Sequence, residues 1–268
     1  GDTVGVLISR VPPPYPPYTR SETWGVFSED GGLTWSDPVL VNTPHRYVVG
    51  KIHRIITLED GTLLMPASYE VQMERGEPVA AEENMLLASG VMVSTDRGRS
   101  WKDQGPFVTG SPPHIKGTDG MGEPAIVLLP NGELFMVART GDVRLWQCRS
   151  TDLGKTWSTP EPSPLTGNNA PCAMAVLHNG WLVIVWDNSP KERAPLCAAI
   201  SKDNGQTWSP PRVINPTYAE YPSVIQADDG TIVVTYNAPV TSRPERLRVH
   251  VARFNVEWVL EAEAAPQP

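Results

Sequence analysis

Long apolar runs, basic clusters and paired cysteines are all scarce in this chain, and each shortage removes a class of protein. Nothing in the 268 residues approaches the ~18 uninterrupted apolar positions of a transmembrane helix, so no membrane span is expected. Lys and Arg total 22 against 30 Asp and Glu, a formal charge of -8. The basic footprint of a nucleic-acid-binding surface is missing, and no nucleic-acid partner is expected. Cysteines number three, Cys148, Cys172 and Cys197, an odd and sparse set that gives no disulfide framework. Small buried hydrophobes are their expected role. Neither CxxC nor HExxH occurs, so no metal site is expected and no cofactor is implied. No charged-then-apolar leader opens the sequence, and 3.6-residue helical periodicity is hard to find anywhere.

Turns are what the chain has in abundance. With 28 Pro and 22 Gly, short Val/Ile/Leu runs bounded by turn residues recur throughout, which reads as all-β. One nonapeptide is written four times: SEDGGLTWS from Ser28, STDRGRSWK from Ser94, STDLGKTWS from Ser150 and SKDNGQTWS from Ser201. Their acids, Asp30, Asp96, Asp152 and Asp203, lie 66, 56 and 51 residues apart. A fainter repeat alternates with them, an Asp-Gly or Asn-Gly between two apolar runs, at Gly61, Gly132, Gly180 and Gly230. Both residues of such a pair can take positive φ, which suits tight hairpins.

Each unit therefore reads strand, Gly turn, strand, loop, strand, nonapeptide, strand. That is a four-stranded antiparallel sheet of about 50 residues, the size of a propeller blade. Five units follow, roughly 1–45, 46–110, 111–165, 166–212 and 213–260. The first lacks an opening strand, and in the last RLRVHVARF supplies a third strand and VEWVL a fourth. Residues 1–260 are expected to form one propeller domain, with the tail from 261 to 268 disordered. In the nonapeptide, Asp is expected to accept backbone N–H bonds, Gly to supply unusual φ, and Trp to pack between neighbouring sheets.

The nonapeptide is the Asp box, and by it the chain resembles the sialidase (neuraminidase) superfamily of β-propellers, also called BNR-repeat proteins. That family is six-bladed, so the resemblance implies an N-terminally shortened or reduced member. It also implies an acidic-glycan or sialoside substrate and the chemistry of an exo-acting glycoside hydrolase.

Strand direction says where such chemistry sits. Starts of first strands and ends of second strands share one rim, opposite the Asp boxes. Glu123 opens GEPAIVLLPNGELFMVAR and Arg139 closes it, so the two face each other across one hairpin. Tyr221 stands nine residues before Gly230 and starts a first strand on the same rim, with Glu220 beside it. Arg193 immediately precedes a third strand. By resemblance, Tyr221 is the nucleophile, Glu123 draws off its proton, and Arg139 and Arg193 grip the substrate carboxylate in a locally positive pocket. Arg54, in HRIITLEDGTLL, is the nearest match for a third arginine, although Ile56 stands where the family has Pro. The general acid has no clear counterpart; Glu70, Glu74, Glu77, Glu82, Glu83 and Asp119 are the acids on offer. A non-catalytic carbohydrate-binding propeller, or a lyase or hydrolase of uronic-acid polymers, fits the same residues.

Overall fold

The computed structural model describes residues 3–13, 16–49, 54–240 and 243–261. Its strands form five antiparallel sheets in a β-propeller arrangement. Two have four strands in simple consecutive order. The third blade runs Gly122–Leu128, Leu134–Arg139, Arg144–Ser150 and Glu161–Thr166. The fourth runs Ala173–Val176, Leu182–Asp187, Leu196–Ser201 and Arg212–Asn215. The second blade, built on Leu63–Glu70 and Leu86–Ser94, adds two short strands: Ile56–Thr57, and Asp119–Gly120 in parallel pairing.

The end blades have three strands each. In the first, Val4–Arg10, Glu22–Ser28 and Val39–Val41 take the second, third and fourth places, as the missing opening strand implied. The fifth comprises Glu220–Gln226, Ile232–Val240 and Arg243–Phe254. VEWVL, expected as its fourth strand, is instead the short α-helix Val256–Leu260. Asn255 caps it, its side-chain oxygen accepting from the Trp258 N–H at 2.9 Å. Val256, Val259 and Leu260 have helical spacing and turn onto the core shared by the fourth and fifth blades. Of the tail expected to be disordered, residues 262–268 lie outside the described residues.

Period-two alternation explains how the blades stack. In the third blade Phe135 and Val137 face the fourth, joining Cys172, Met174, Leu182 and Ile184. Leu134, Met136 and Ala138 face the second, joining Leu64, Val91 and Val93. Both faces are covered, so the whole strand Leu134–Arg139 is buried. Each fully buried Leu, Ile, Val, Phe or Met stabilises by about 1.5–3 kcal/mol. The cysteines act as small hydrophobes here: all three are free and buried, and burial pushes each thiol up to about 12. Among the described residues the end blades have no neighbour on one side, and there Val6, Ile8, Val249 and Val251 are exposed.

The four Asp boxes share one network. In the third blade the Ser150 hydroxyl donates to Asp152 Oδ1 at 2.8 Å and accepts the Gly154 N–H at 2.8 Å. Asp152 then accepts the Thr156 N–H at 2.9 Å and its hydroxyl at 2.7 Å. These bonds hold the Asp152 carboxyl down at about 2. Gly154 and Gly205 have φ of 89° and 83°, and each lies against the preceding blade. A Cβ would meet Val91 at 2.3 Å in one case and the Phe135 ring at 2.4 Å in the other. The box tryptophans turn the same way: Trp101, Trp157 and Trp208 join cores between blades. Trp35 departs from the expectation and is 45% exposed, because no blade precedes its own among the described residues.

The hairpin turns also differ from expectation. Only the glycine is left-handed, with Gly132 at φ 86° and Gly180 at 82°. The preceding Asn131 instead accepts the Glu133 N–H at 3.1 Å. The Leu129 N–H bonds the Glu133 carbonyl and the Gly132 N–H the Leu129 carbonyl. This is a three-residue loop ending in a left-handed glycine, not a two-residue turn.

Two glycines separate backbone strain from packing. Gly205→Ala is expected to cost about 2–4 kcal/mol, combining left-handed strain with overpacking. Gly132→Ala, with nothing within 4 Å of the new Cβ, should cost only ~1–2 kcal/mol. Urea unfolding midpoints check this, and equal losses would contradict the packing role given to Gly205.

Candidate active site

The turn glycines set the register of the rim. Seven residues after Gly61, Gly132, Gly180 and Gly230 come Ser68, Arg139, Asp187 and Asn237. Each lies at or near the far end of a second strand, and all are polar where the preceding strand is apolar. Nine residues before Gly132 and Gly230 come Glu123 and Tyr221. Both interrupt a first strand in the same way. Pairing shifts between Gly122 and Ala125, and again between Glu220 and Ser223. Glu123 has φ 45° and Tyr221 φ 50°, and each precedes a proline, Pro124 and Pro222. Proline gives up its ladder hydrogen bond and is tolerated at a bulge. The bulge re-aims the side chain before it, at the cost of a strained backbone.

Glu123 and Arg139 form a buried pair. Arg139 Nε lies 3.1 Å from Glu123 Oε2, with side-chain exposures of 3% and 10%. Arg139 Nη1 also donates to the Asn169 carbonyl at 3.4 Å. The Glu123 N–H donates to the buried Ser68 hydroxyl at 3.1 Å, so the second blade holds the carboxylate's backbone.

A second cluster lies beside it. Arg193 Nη1 contacts Glu220 Oε2 at 3.0 Å, and its guanidinium lies over the Tyr221 ring at 5.2 Å. The Tyr218 hydroxyl donates to the same Glu220 oxygen. Burial works against the charged guanidinium, but the facing Tyr221, Tyr218 and Glu220 outweigh it and hold the arginine above its ordinary pKa. Burial raises the Tyr221 phenol, and the charge of Glu123 raises it further, while Arg139 and Arg193 oppose. The carboxylate of one cluster thus acts on the phenol of the other. Tyr221 remains 37% exposed, open to a ligand. A cleft of about 320 Å³ adjoins this cluster, lined by Lys116, Asn168, Asn169, Lys191, Arg193 and Tyr218 among others.

Glu123, Arg139, Tyr221 and Arg193 are therefore brought together. Arg54 is exposed, and among the described residues it makes no ion pair with them. The pocket also departs from the locally positive one expected, because each guanidinium already faces a carboxylate. Two of the acids on offer are occupied elsewhere: Glu70 caps the helix Val71–Glu74, and Glu74 accepts the Arg46 N–H at 2.6 Å. Asp119 pairs with His114 at 2.7 Å.

Asp187 was missed. It is 3% exposed, and burial pushes its carboxyl up to about 7, with Arg193 opposing and Glu220 adding. Its seven-residue offset from Gly180, the same as that of Arg139 from Gly132, is the signal that finds it.

Stacked four-stranded sheets, Asp boxes opposite a rim of arginine, carboxylate and phenol: this is the class of Asp-box propellers. Residues 13–234 match the BNR repeat-like domain, and the chain belongs to that family, within the sialidase superfamily. It is 27% identical over 197 residues to a sialidase of Bacteroides fragilis (strain YCH46), covering 68% of this chain and 32% of that protein. A Clostridium perfringens sialidase is 28% identical over 172 residues, covering 58% of this chain and 40% of the other. The chain thus spans less than half the length of these relatives. Among solved structures, the Hadza microbial sialidase Hz136 superposes with a TM-score of 0.69 at 17% identity, covering 96% of this chain and 50% of the other.

The pair can be tested by stability alone. Arg139→Ala strands a buried carboxylate and is expected to cost about 3–5 kcal/mol. Adding Glu123→Gln should recover part of that loss in chemical denaturation, whereas additive losses would contradict a direct pairing.

Proposed function

We propose that this propeller is an exo-acting glycoside hydrolase that releases a terminal sialic acid or a similar acidic sugar. The observation that carries the reading is the juxtaposition of a strained, solvent-reachable phenol with a buried carboxylate and two guanidinium groups. Sialidases among the curated relatives support the choice of sugar.

The chemistry follows from the substrate's charge. A carboxylate beside the reacting carbon would repel a carboxylate nucleophile, whereas a neutral phenol is not repelled. Tyr221, raised above its ordinary value, is neutral near pH 7. It therefore needs a base as it attacks, and Glu123 takes the proton. The Tyr221 Oη–carbon bond forms as the glycosidic carbon–oxygen bond breaks, and the aglycone oxygen takes a proton from solvent. Water then attacks the same carbon and gives up one proton to solvent, the tyrosyl bond breaks, and Glu123 returns its proton to Tyr221. Arg193 and Arg139 bind the substrate carboxylate through N–H groups not engaged by Glu220 and Glu123. A guanidinium has five donors, so one carboxylate partner does not exhaust it.

A carbohydrate-binding propeller without turnover is the second reading, and it is favoured by Glu70 and Glu74, two of the candidate acids, being engaged by the backbone N–H groups of Leu86 and Arg46.

Release of a fluorogenic aglycone from a sialoside tests the first reading. Wild type is expected to release it, Tyr221→Phe to lose release while still binding the sugar, and Glu123→Gln to slow turnover by ~10²–10⁴-fold. Binding without release by wild type would overturn it in favour of the second.

A further inference from the structure

Arg193 contacts one acid, and its charge acts on another. Glu220 from the fifth blade contacts it at 3.0 Å. Asp187 ends the strand Leu182–Asp187, six residues before Arg193 in sequence, and that arginine's charge acts on its carboxyl. Asp187 is 3% exposed, and neither of its carboxylate oxygens has a hydrogen-bond partner among the described residues. An ionised carboxylate buried without hydrogen bonds is costly, and here it also feels Glu220. A ligand carboxylate on Arg193 would bring a third negative charge to one guanidinium. Like charges so close raise the proton affinity of the buried member.

We propose that Asp187 is the positioning residue of Arg193, and that a carboxylate ligand binds there with uptake of one proton by Asp187. Protonated, Asp187 leaves the guanidinium to Glu220 and the ligand; ionised, it competes for it. The carboxyl's value of about 7 puts this step in the neutral range.

Other ionisable groups lie on the elements packed around Asp187. The Cys197 thiol on the paired strand is pushed up to about 12. Tyr218 and Tyr221, across Arg193, are raised above their ordinary values. Ala173–Val176, the strand on the other side, carries no ionisable residue. Lys191 and Glu192, in the loop before Arg193, line the neighbouring cleft. On the outer strand, Arg212 donates to the Glu261 carbonyl.

The proposal rests on the reading that Arg193 receives a carboxylate. Calorimetric titration with free sialic acid, between pH 6 and 8 in two buffers of different ionisation heat, tests it. Wild type is expected to take up close to one proton per ligand near pH 7.5, with affinity falling about tenfold per pH unit above 7. Asp187→Asn keeps the shape of the site and should bind without proton uptake, at an affinity nearly constant over that range. Binding by wild type without uptake, or uptake that persists in Asp187→Asn, would overturn the role of Asp187 and leave carboxylate capture standing. No binding by either protein at any pH would overturn carboxylate capture and the proposal with it.

Discussion

The Arg139–Glu123 pair is the constraint on which the site depends. Both groups are almost fully removed from water and lie 3.1 Å apart. Neither would be tolerated alone, since a single buried charge costs more than folding can readily supply. The pair ties the end of one strand to the bulge opposite it. That bulge is held in turn by the Ser68 hydroxyl from the neighbouring blade. Glu123 is thereby fixed where its charge acts on the Tyr221 phenol. Loss of the pair would release the bulge, the carboxylate and the electrostatic link between the two clusters together.

Rigidity at this rim is built at the other one. The Ser-Asp-Gly network of each Asp box is nearly the same to within a tenth of an ångström in its central bonds. In the last three boxes the glycine and tryptophan lie against the preceding blade, so the box sets how neighbouring sheets stack. The hairpin turns then fix the distance along each sheet. A constant seven residues after the turn glycine brings Ser68, Arg139, Asp187 and Asn237 to matching positions in four blades. The propeller thus collects polar groups from separate sheets at matching strand ends.

The repeats made most of this legible. Gly turns and Asp boxes punctuate the chain regularly enough to give blade number, strand order and the places that the first three strands take in their sheet. They also place Glu123, Arg139, Arg193 and Tyr221 on one rim. The misses have physical reasons. Val256–Leu260 is mostly apolar and short enough to read as a strand, but the Asn255 cap and the helical spacing of Val256, Val259 and Leu260 against the core make it a helix. Asp187 stands at the same offset from its turn glycine as Arg139, a match between blades that a reading of each hairpin by itself does not reveal. The charge balance of the pocket was hidden because pairing of Glu220 with Arg193 joins two blades.

The central claim is that a tyrosine of this propeller becomes bonded to the sugar. An activated fluorosugar analogue of sialic acid, whose fluorine slows hydrolysis of a covalent intermediate, tests this most directly when followed by peptide mass spectrometry. The account predicts the added sugar mass on the peptide bearing Tyr221 and its absence in Tyr221→Phe. The same mass on a peptide bearing Glu123 or Glu220, with Tyr221 unmodified, would contradict it.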